Sequence, residues 1–296
     1  MKVKFTDWWG GWKWQEYPVC KEILHDKLGW EVVEENPDII FYSVFFDRGD
    51  RLSKFNGTVH AWDSKYANIP KVCFSGESMT DEWIDRILSR GDYLMYSKRV
   101  DHPRYLRVTE IETNPLFNIK ELLAEPVPEK TKFCSFIYNS RVSPRENFCR
   151  QLMKYKKVDC LGKSLKNADS AVLTKRYEGL CGSGIGQSNI KAIQPYKFNI
   201  GFENKIIPGY MTEKSWWGFL AKTITVYYGD PTIHESFNKG SFLYRGDYGN
   251  DQQLIDAIIE LDNDEAAYNE MINTYPIRDK AMANPDYITD FFKGIV

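Results

Sequence analysis

No stretch of this 296-residue chain approaches the roughly 18 to 20 consecutive apolar residues that a membrane-spanning helix needs. Its N-terminus, "MKVKFTDWWGG", lacks the apolar core of a secretory signal. Histidine is scarce: His25, His60, His102 and His234 show neither of the H-x-x-x-H and H-x-H spacings that build metal sites. The six cysteines, at 20, 73, 134, 149, 160 and 181, include no C-x-x-C. That excludes a zinc ribbon or a disulfide-dense secreted module and predicts free thiols in a reducing compartment, hence a cytoplasmic protein. Neither charge is in excess, since 39 Lys and Arg face 41 Asp and Glu for a net charge of −2. A chain built to coat nucleic acid would need a basic surplus, although a local cluster able to hold one pyrophosphate is compatible with this balance. G-x-S-x-G and Cys–His arrangements are missing, so a nucleophilic hydrolase has no footing. No internal repeat or low-complexity block occurs.

What the chain does have is a 43 % hydrophobic composition, sufficient for a sizeable core, and 15 % aromatic residues with nine tryptophans. Such aromatics fill cores and also stack on sugar rings; composition alone favours the core. Apolar runs alternate with amphipathic stretches along the chain. "KVKFTDWW", "PDIIFYSVF", "PKVCFSGES" and "YLMYS" read as strands, and "YPVCKEILHDKLGW" and "DEWIDRIL" as helices. The pattern fades over 111–131, where the prolines of "EPVPEK" mark a linker. It resumes with the strands "KFCSFIYNS", "KVDCLGK", "YKFNIGFEN", "TITVYYGD" and "SFLYRGD". The interleaved helices are "SPRENFCRQLMKY", with Ser143 as its expected N-cap, "TEKSWWGFLAK" and "DQQLIDAIIELD". This alternation predicts α/β layers on mainly parallel sheets. It also predicts two domains, 1–122 and 123–296, with a cleft between them and the last helix free to pack back on the first. The glycine-rich segment 179–189 lacks the full G-x-G-x-x-G spacing and reads as a flexible loop. "DND" at 262–264 reads as a solvated helix end rather than a metal-holding pair.

The residues able to carry chemistry follow strands. Thr212 can cap the helix that begins "TEKSWW", which puts Glu213 and Lys214 in its first turn. Backbone N–H groups there favour an anion, Lys214 adds a full charge, and Glu213 can accept two hydrogen bonds from a ribose diol. A glutamate in a first turn is also ordinary dipole chemistry, and both readings stay open. Arg145 near a helix start opposes the dipole, which a bound anion would explain. Arg141, Lys163 and Lys166 lie in neighbouring post-strand loops. Together these cations suggest a pyrophosphate seat without a metal. Glu77, just past a buried strand in "CFSGES", is suited to act as a general base and equally to cap a turn.

The blocks "YKFNIGFEN…GYMTEK…WWGFLAKTITVYYGDP…FNKGSFL" resemble the donor-site signature of the α-1,3/4-fucosyltransferases, glycosyltransferase family 10, in their bacterial form. "DWWGG", "PDIIFYSVF", "FSGES", "RYLR", "FCSFIYNS…PRENF" and "KKVDCLGK" are similar to that family's other blocks, in order. The resemblance implies a GT-B architecture, two Rossmann-like domains facing across a cleft. It implies transfer of L-fucose, with inversion, from GDP-β-L-fucose to O3 of N-acetylglucosamine in N-acetyllactosamine-type glycans. The implied roles are Glu77 as general base, Arg145 and Lys214 on the diphosphate, Glu213 on the ribose, and Asn204 and Tyr210 seating GDP-fucose. Lys163 stands in a loop where the family often bears arginine. Trp8 and Trp9 of "DWWGG" are expected to shape the acceptor pocket. No cofactor and no essential metal are expected, and the partners are GDP-fucose and an oligosaccharide acceptor, with no nucleic acid. The chain ends at "DYITDFFKGIV" without the heptads and basic amphipathic tail of some bacterial members, so peripheral membrane association and homo-oligomerisation stay open. The rival readings are a GT-B transferase using another nucleotide sugar or acceptor, and a non-catalytic glycan-binding protein.

Overall fold

The computed structural model describes residues 1–8, 13–17, 19–44, 59–109, 124–174, 184–278 and 286–295. The chain divides into two compact units, Met1–Asn114 with Asn284–Val296, and Pro115–Ala283. This border lies eight residues before the expected 122/123. Trp9, the first half of the segment 179–189 and Cys181 lie outside the described residues.

The first unit is built on a six-stranded sheet. Its strands are β1 (Lys2–Thr6), β2 (Glu31–Val32), β3 (Ile39–Tyr42), β4 (Lys71–Ser75), β5 (Tyr93–Tyr96) and β6 (Tyr105–Arg107), in the order β2-β1-β3-β4-β5-β6 with every pairing parallel. All residues of β3 and β4 are buried, because a parallel sheet is covered on both faces, and this is why their sequences run apolar without alternation. Ile39, Phe41, Val72 and Phe74 pack with Ile23 and Leu24 of the helical stretch Val19–Lys27, which takes π-type geometry. Helix α1 (Asp81–Ser89) is capped by Thr80 and buries Trp83, Ile84, Ile87 and Leu88, the i, i+3, i+4 spacing of one helix face.

The second unit holds a five-stranded parallel sheet of β7 (Lys132–Phe136), β8 (Val158–Cys160), β9 (Tyr196–Phe202), β10 (Ile224–Tyr228) and β11 (Leu243–Tyr244), in the order β11-β10-β9-β7-β8. Its helices are α2 (Ser143–Leu152), α3 (Gly184–Ile193), α4 (Glu213–Leu220), α5 (Ile233–Ser236), α6 (Asp251–Asn263) and α7 (Glu265–Asn273). Phe198, Ile200 and Phe202 of β9 share a core with Phe148, Cys149 and Leu152 of α2 and with Leu254, Ile255 and Ile258 of α6. Each such side chain contributes about 1.5–3 kcal/mol on burial. The opposite face of β9 carries α4, and Gly201 lets it approach closely. A Cβ on Gly201 would stand 2.4 Å from the carbonyl oxygen of Lys214. Helix α8 (Asp286–Lys293) belongs to the first unit, where Ile288 and Phe292 join the core around Phe41.

Three local expectations are corrected. Ser143 is the first residue of α2 rather than its cap; the cap position is Val142, in extended conformation, without a side-chain bond. Residues 184–189 are not loop but the start of α3, whose Ile190, Ala192 and Ile193 are buried. Asp262 is not solvated. Its side chain is 3 % exposed and accepts from Lys197 Nζ at 2.6 Å, from Tyr155 Oη at 3.0 Å and from Lys156 Nζ. Cys20, Cys73, Cys134, Cys149 and Cys160 are buried free thiols.

Candidate functional site

All strands of the second sheet run the same way, so the residues that follow them gather along one edge, the usual ligand edge of an open α/β sheet. After β7 come Tyr138 and, in the first turn of α2, Arg145. Arg145 is only 2 % exposed, and a guanidinium so buried costs several kcal/mol unless its donors are met. Its Nη1 donates to Asn204 Oδ1 at 2.7 Å and its Nη2 to the Ser140 carbonyl at 2.8 Å. The guanidinium also lies 3.9 Å from the Tyr138 ring centroid, within cation–π range. These partners are neutral. Among the described residues no carboxylate forms an ion pair with Arg145, and its Nε has no hydrogen-bond partner. Burial pulls its pKa down, against the opposing pull of Tyr138 and Glu203. A desolvated cation with a donor to spare is suited to an anionic ligand.

β9 delivers the next group. Its last residues turn through Glu203, whose backbone N–H still donates to the Tyr228 carbonyl at 2.7 Å, into the exposed Asn204. The Glu203 carboxylate is buried and bonds twice to one residue: Oε1 accepts from Thr212 N at 2.8 Å and Oε2 from Thr212 Oγ1 at 2.6 Å. Burial pushes its pKa up to about 7, although Lys214 and the Thr212 bonds work the other way. Thr212 in turn caps α4, as its position before "EKSWW" predicts. Lys214 Nζ sits 2.7 Å from Glu213 Oε1, 3.0 Å from Thr212 Oγ1 and 3.8 Å from Glu203 Oε2. Burial lowers its pKa, but Glu213 and Glu203 outweigh that and hold it above the ordinary lysine value, so Lys214 is charged.

The loop between β9 and α4 is pinned from β10. Gly209 takes φ +80°, a conformation that favours glycine, and its N–H donates to Asp230 Oδ1 at 2.7 Å. The same oxygen accepts from Thr232 N and Oγ1, both at 2.7 Å. Tyr210, next along, is buried. Lys163 follows β8 and is exposed; with Arg141, Arg150 and Lys166 it lines an open cationic cleft.

The second unit therefore brings Arg145, Asn204, Glu213 and Lys214 together with Thr212, and fixes Tyr210 beside them, while Lys163 lies on the neighbouring loop. Sequence reasoning assigned nothing to Glu203, Tyr138 or Asp230. Asp230 had a visible signal in the post-strand turn "YYGDP"; Tyr138 is set by burial and by the Ile200 and Phe202 carbonyls, 62 and 64 residues away, and Glu203 by burial against Thr212. Two cations, a helix N-terminus and an adjacent carboxylate can together hold a nucleoside diphosphate. In the first unit Glu77 stands two residues beyond β4, in a turn where its N–H donates to Ser75 Oγ at 3.0 Å. Trp8 is half-buried and packs on Phe74 (6.0 Å between ring centroids), Phe41 (5.8 Å) and Tyr17 (5.6 Å). Among the described residues no group of three or more metal-ligating side chains gathers, and no helix is long and apolar enough to cross a membrane.

Residues 127–278 match the family model described as glycosyltransferase family 10 (fucosyltransferase), C-terminal. The Drosophila melanogaster alpha-(1,3)-fucosyltransferase B is 32 % identical over 130 residues, 43 % of this chain and 29 % of that one. The human GDP-fucose protein O-fucosyltransferase 3 is 31 % identical over 132 residues, 44 % of this chain and 26 % of that one. The Helicobacter pylori alpha-(1,3)-fucosyltransferase FucT is 27 % identical over 176 residues, 60 % of this chain and 31 % of that one. The chain thus spans only 26–31 % of the length of these curated relatives. A crystal structure of an alpha1,3-fucosyltransferase superposes with a TM-score of 0.72 at 21 % identity, covering 99 % of this chain and 89 % of the other. That likeness shows the fold, GT-B, with its two α/β units each on a parallel sheet. The match over the second unit takes in the whole strand–loop–helix stretch from β9 to α4, and the chain belongs to glycosyltransferase family 10, the fucosyltransferases.

Proposed function

We propose that this protein transfers L-fucose from GDP-β-L-fucose, with inversion, to the O3 hydroxyl of N-acetylglucosamine in N-acetyllactosamine-type glycans. The observation that carries the reading is the convergence of Arg145 and Lys214 on the turn between β9 and α4, inside the segment matched by the family. Arg145 and Lys214 take the diphosphate, Glu213 the ribose hydroxyls, and Asn204 and Tyr210 complete the donor seat. Lys163 adds charge from the neighbouring loop. As the acceptor hydroxyl attacks the anomeric carbon opposite the nucleotide, negative charge builds on the departing diphosphate. Two fixed cations meet it there, each contributing about 2–4 kcal/mol to lowering the barrier. With that charge met by the protein, turnover is expected to need no divalent metal. Glu77 removes the acceptor proton, and Trp8 borders the acceptor. Lys214→Ala tests the donor seat: kcat should drop about 30- to 1000-fold, and a near-normal rate would remove Lys214 from it.

A second reading concerns the acceptor alone. The human relative is named a GDP-fucose protein O-fucosyltransferase, so a hydroxyl on a polypeptide is the alternative. Parallel transfer assays with N-acetyllactosamine and with serine- or threonine-bearing protein modules separate the two.

A further inference from the structure

Glu203 is a buried carboxylate beside the place where a diphosphate has to bind, and the donor reading gives it no role. Its surroundings are specific. From α4 it faces Thr212, Glu213 and Lys214; from β10 and the turn after it, Tyr227 and Asp230; and from β7 and α2, Tyr138 and Arg145. Two cations thus stand among two glutamates in the seat, Glu203 and Glu213, and Asp230 lies one strand end away. The nearest cation, Lys214 Nζ, is 3.8 Å from Glu203 Oε2 and 2.7 Å from Glu213 Oε1.

A diphosphate that draws Lys214 to itself takes away the nearest compensating charge and adds negative charge in its place. At roughly 7 Å and an effective dielectric near 20, one added negative charge raises the proton affinity of a carboxylate some tens of fold. Glu203 cannot answer by moving to solvent, because both its oxygens are committed to Thr212. Protonation is the route left to it.

We propose that Glu203 is a proton-accepting positioning residue: it takes up one proton from solvent when a nucleoside diphosphate fills the seat, which frees Lys214 for the anion while keeping Thr212 in place. The proton goes to Oε2, and the hydrogen bond there inverts, so that Oε2–H donates to Thr212 Oγ1. Oε1 continues to accept from Thr212 N. The threonine hydroxyl hydrogen is released to turn toward the position that Lys214 Nζ leaves. Burial already holds the free carboxyl near half-protonation at neutral pH, with a pKa of about 7, so the step needs no large bias. Lys214 and Arg145 stay charged throughout.

The inference rests on the donor-seat reading, and titration calorimetry with GDP separates the two. GDP is bound to the full chain at pH 7.0 and 8.5, above the value of about 6 at which terminal phosphates lose their second proton, in buffers of different ionisation enthalpy. The wild type should take up about half a proton per GDP at pH 7.0 and a similar or slightly larger fraction at pH 8.5, and its Kd should weaken about tenfold between them. Glu203→Gln, which keeps the shape and an acceptor for Thr212 N, should bind GDP with no proton uptake and with a Kd that changes less than about twofold between the two pH values. GDP binding without proton uptake by the wild type, or wild-type uptake by Glu203→Gln, overturns the inference and leaves the donor seat standing. No GDP binding by folded wild type removes both. If Glu203→Gln fails to fold, the wild-type proton count decides alone.

Discussion

Arg145 Nη1 donates a 2.7 Å hydrogen bond to Asn204 Oδ1, tying the first turn of α2 to the turn that ends β9. The bond fixes a planar fork rather than a point charge, because Nη2 is committed to the Ser140 carbonyl and the plane lies against Tyr138. A lysine can reproduce the charge but neither the fork nor the stacking. Arg145→Lys should therefore lower kcat/KM for GDP-fucose by about 30- to 1000-fold, the roughly 2–4 kcal/mol of a fixed donor at a developing anion. Steady-state kinetics on the folded variant, checked by circular dichroism, measures this; a change under threefold would show that charge alone suffices.

The proposed mechanism gives Glu77 the acceptor proton and no part in holding the nucleotide. Glu77→Gln should leave GDP affinity within about twofold while transfer falls by 100-fold or more, the size expected of a lost general base. Calorimetry and a transfer assay on the same preparation separate binding from chemistry. Full transfer activity would take the base role away from Glu77.

Gly201 sets the distance between β9 and α4. A methyl group there meets the Lys214 carbonyl at 2.4 Å and Thr225 Cγ2 at 2.8 Å, and a backbone oxygen cannot swing aside as a side chain can. Gly201→Ala should cost about 1–3 kcal/mol of stability by overpacking and weaken GDP binding, since α4 carries Glu213 and Lys214. Denaturant unfolding and GDP titration report the two effects; a loss of stability with unchanged GDP affinity would show that α4 absorbs the shift without moving its first turn.

The ligand-free protein should lose stability as pH rises from about 4.5 to 7. Glu203 has a folded pKa of about 7 against an ordinary 4.5, so the native state binds more protons across that window. Its favourable contribution is complete below 4.5 and fades as pH climbs through 7, by about 3 kcal/mol at most. Burial raises Glu22 as well, so the measurement is the difference between wild type and Glu203→Gln. Urea unfolding at pH 4.5 and 8 should show a shallower decline in the variant; parallel curves would contradict the assignment.

The strands and the start of α4 were legible because their signals are local. β3 and β4 are buried on both faces and read as unbroken apolar runs, and Thr212 announces α4 as a cap does. Where reading failed, the deciding partner was distant. Asp262 at the end of α6 looks solvated until Lys156 and Lys197 are brought to it across 106 and 65 residues. The glycines of 184–189 suggest a loop, but packing of Ile190 and Ile193 secures a helix there, tertiary contact overriding propensity. Glu203 is hidden in another way: in sequence it is one polar residue after a strand, and only the fold shows its carboxylate buried against Thr212 and near Lys214.

The most direct test of the account is mass-spectrometric detection of transfer from GDP-fucose to N-acetyllactosamine, with EDTA present and GDP binding measured on the same sample. The account predicts a product heavier by one deoxyhexose, together with saturable GDP binding. Absence of both product and GDP binding in the folded protein would contradict it.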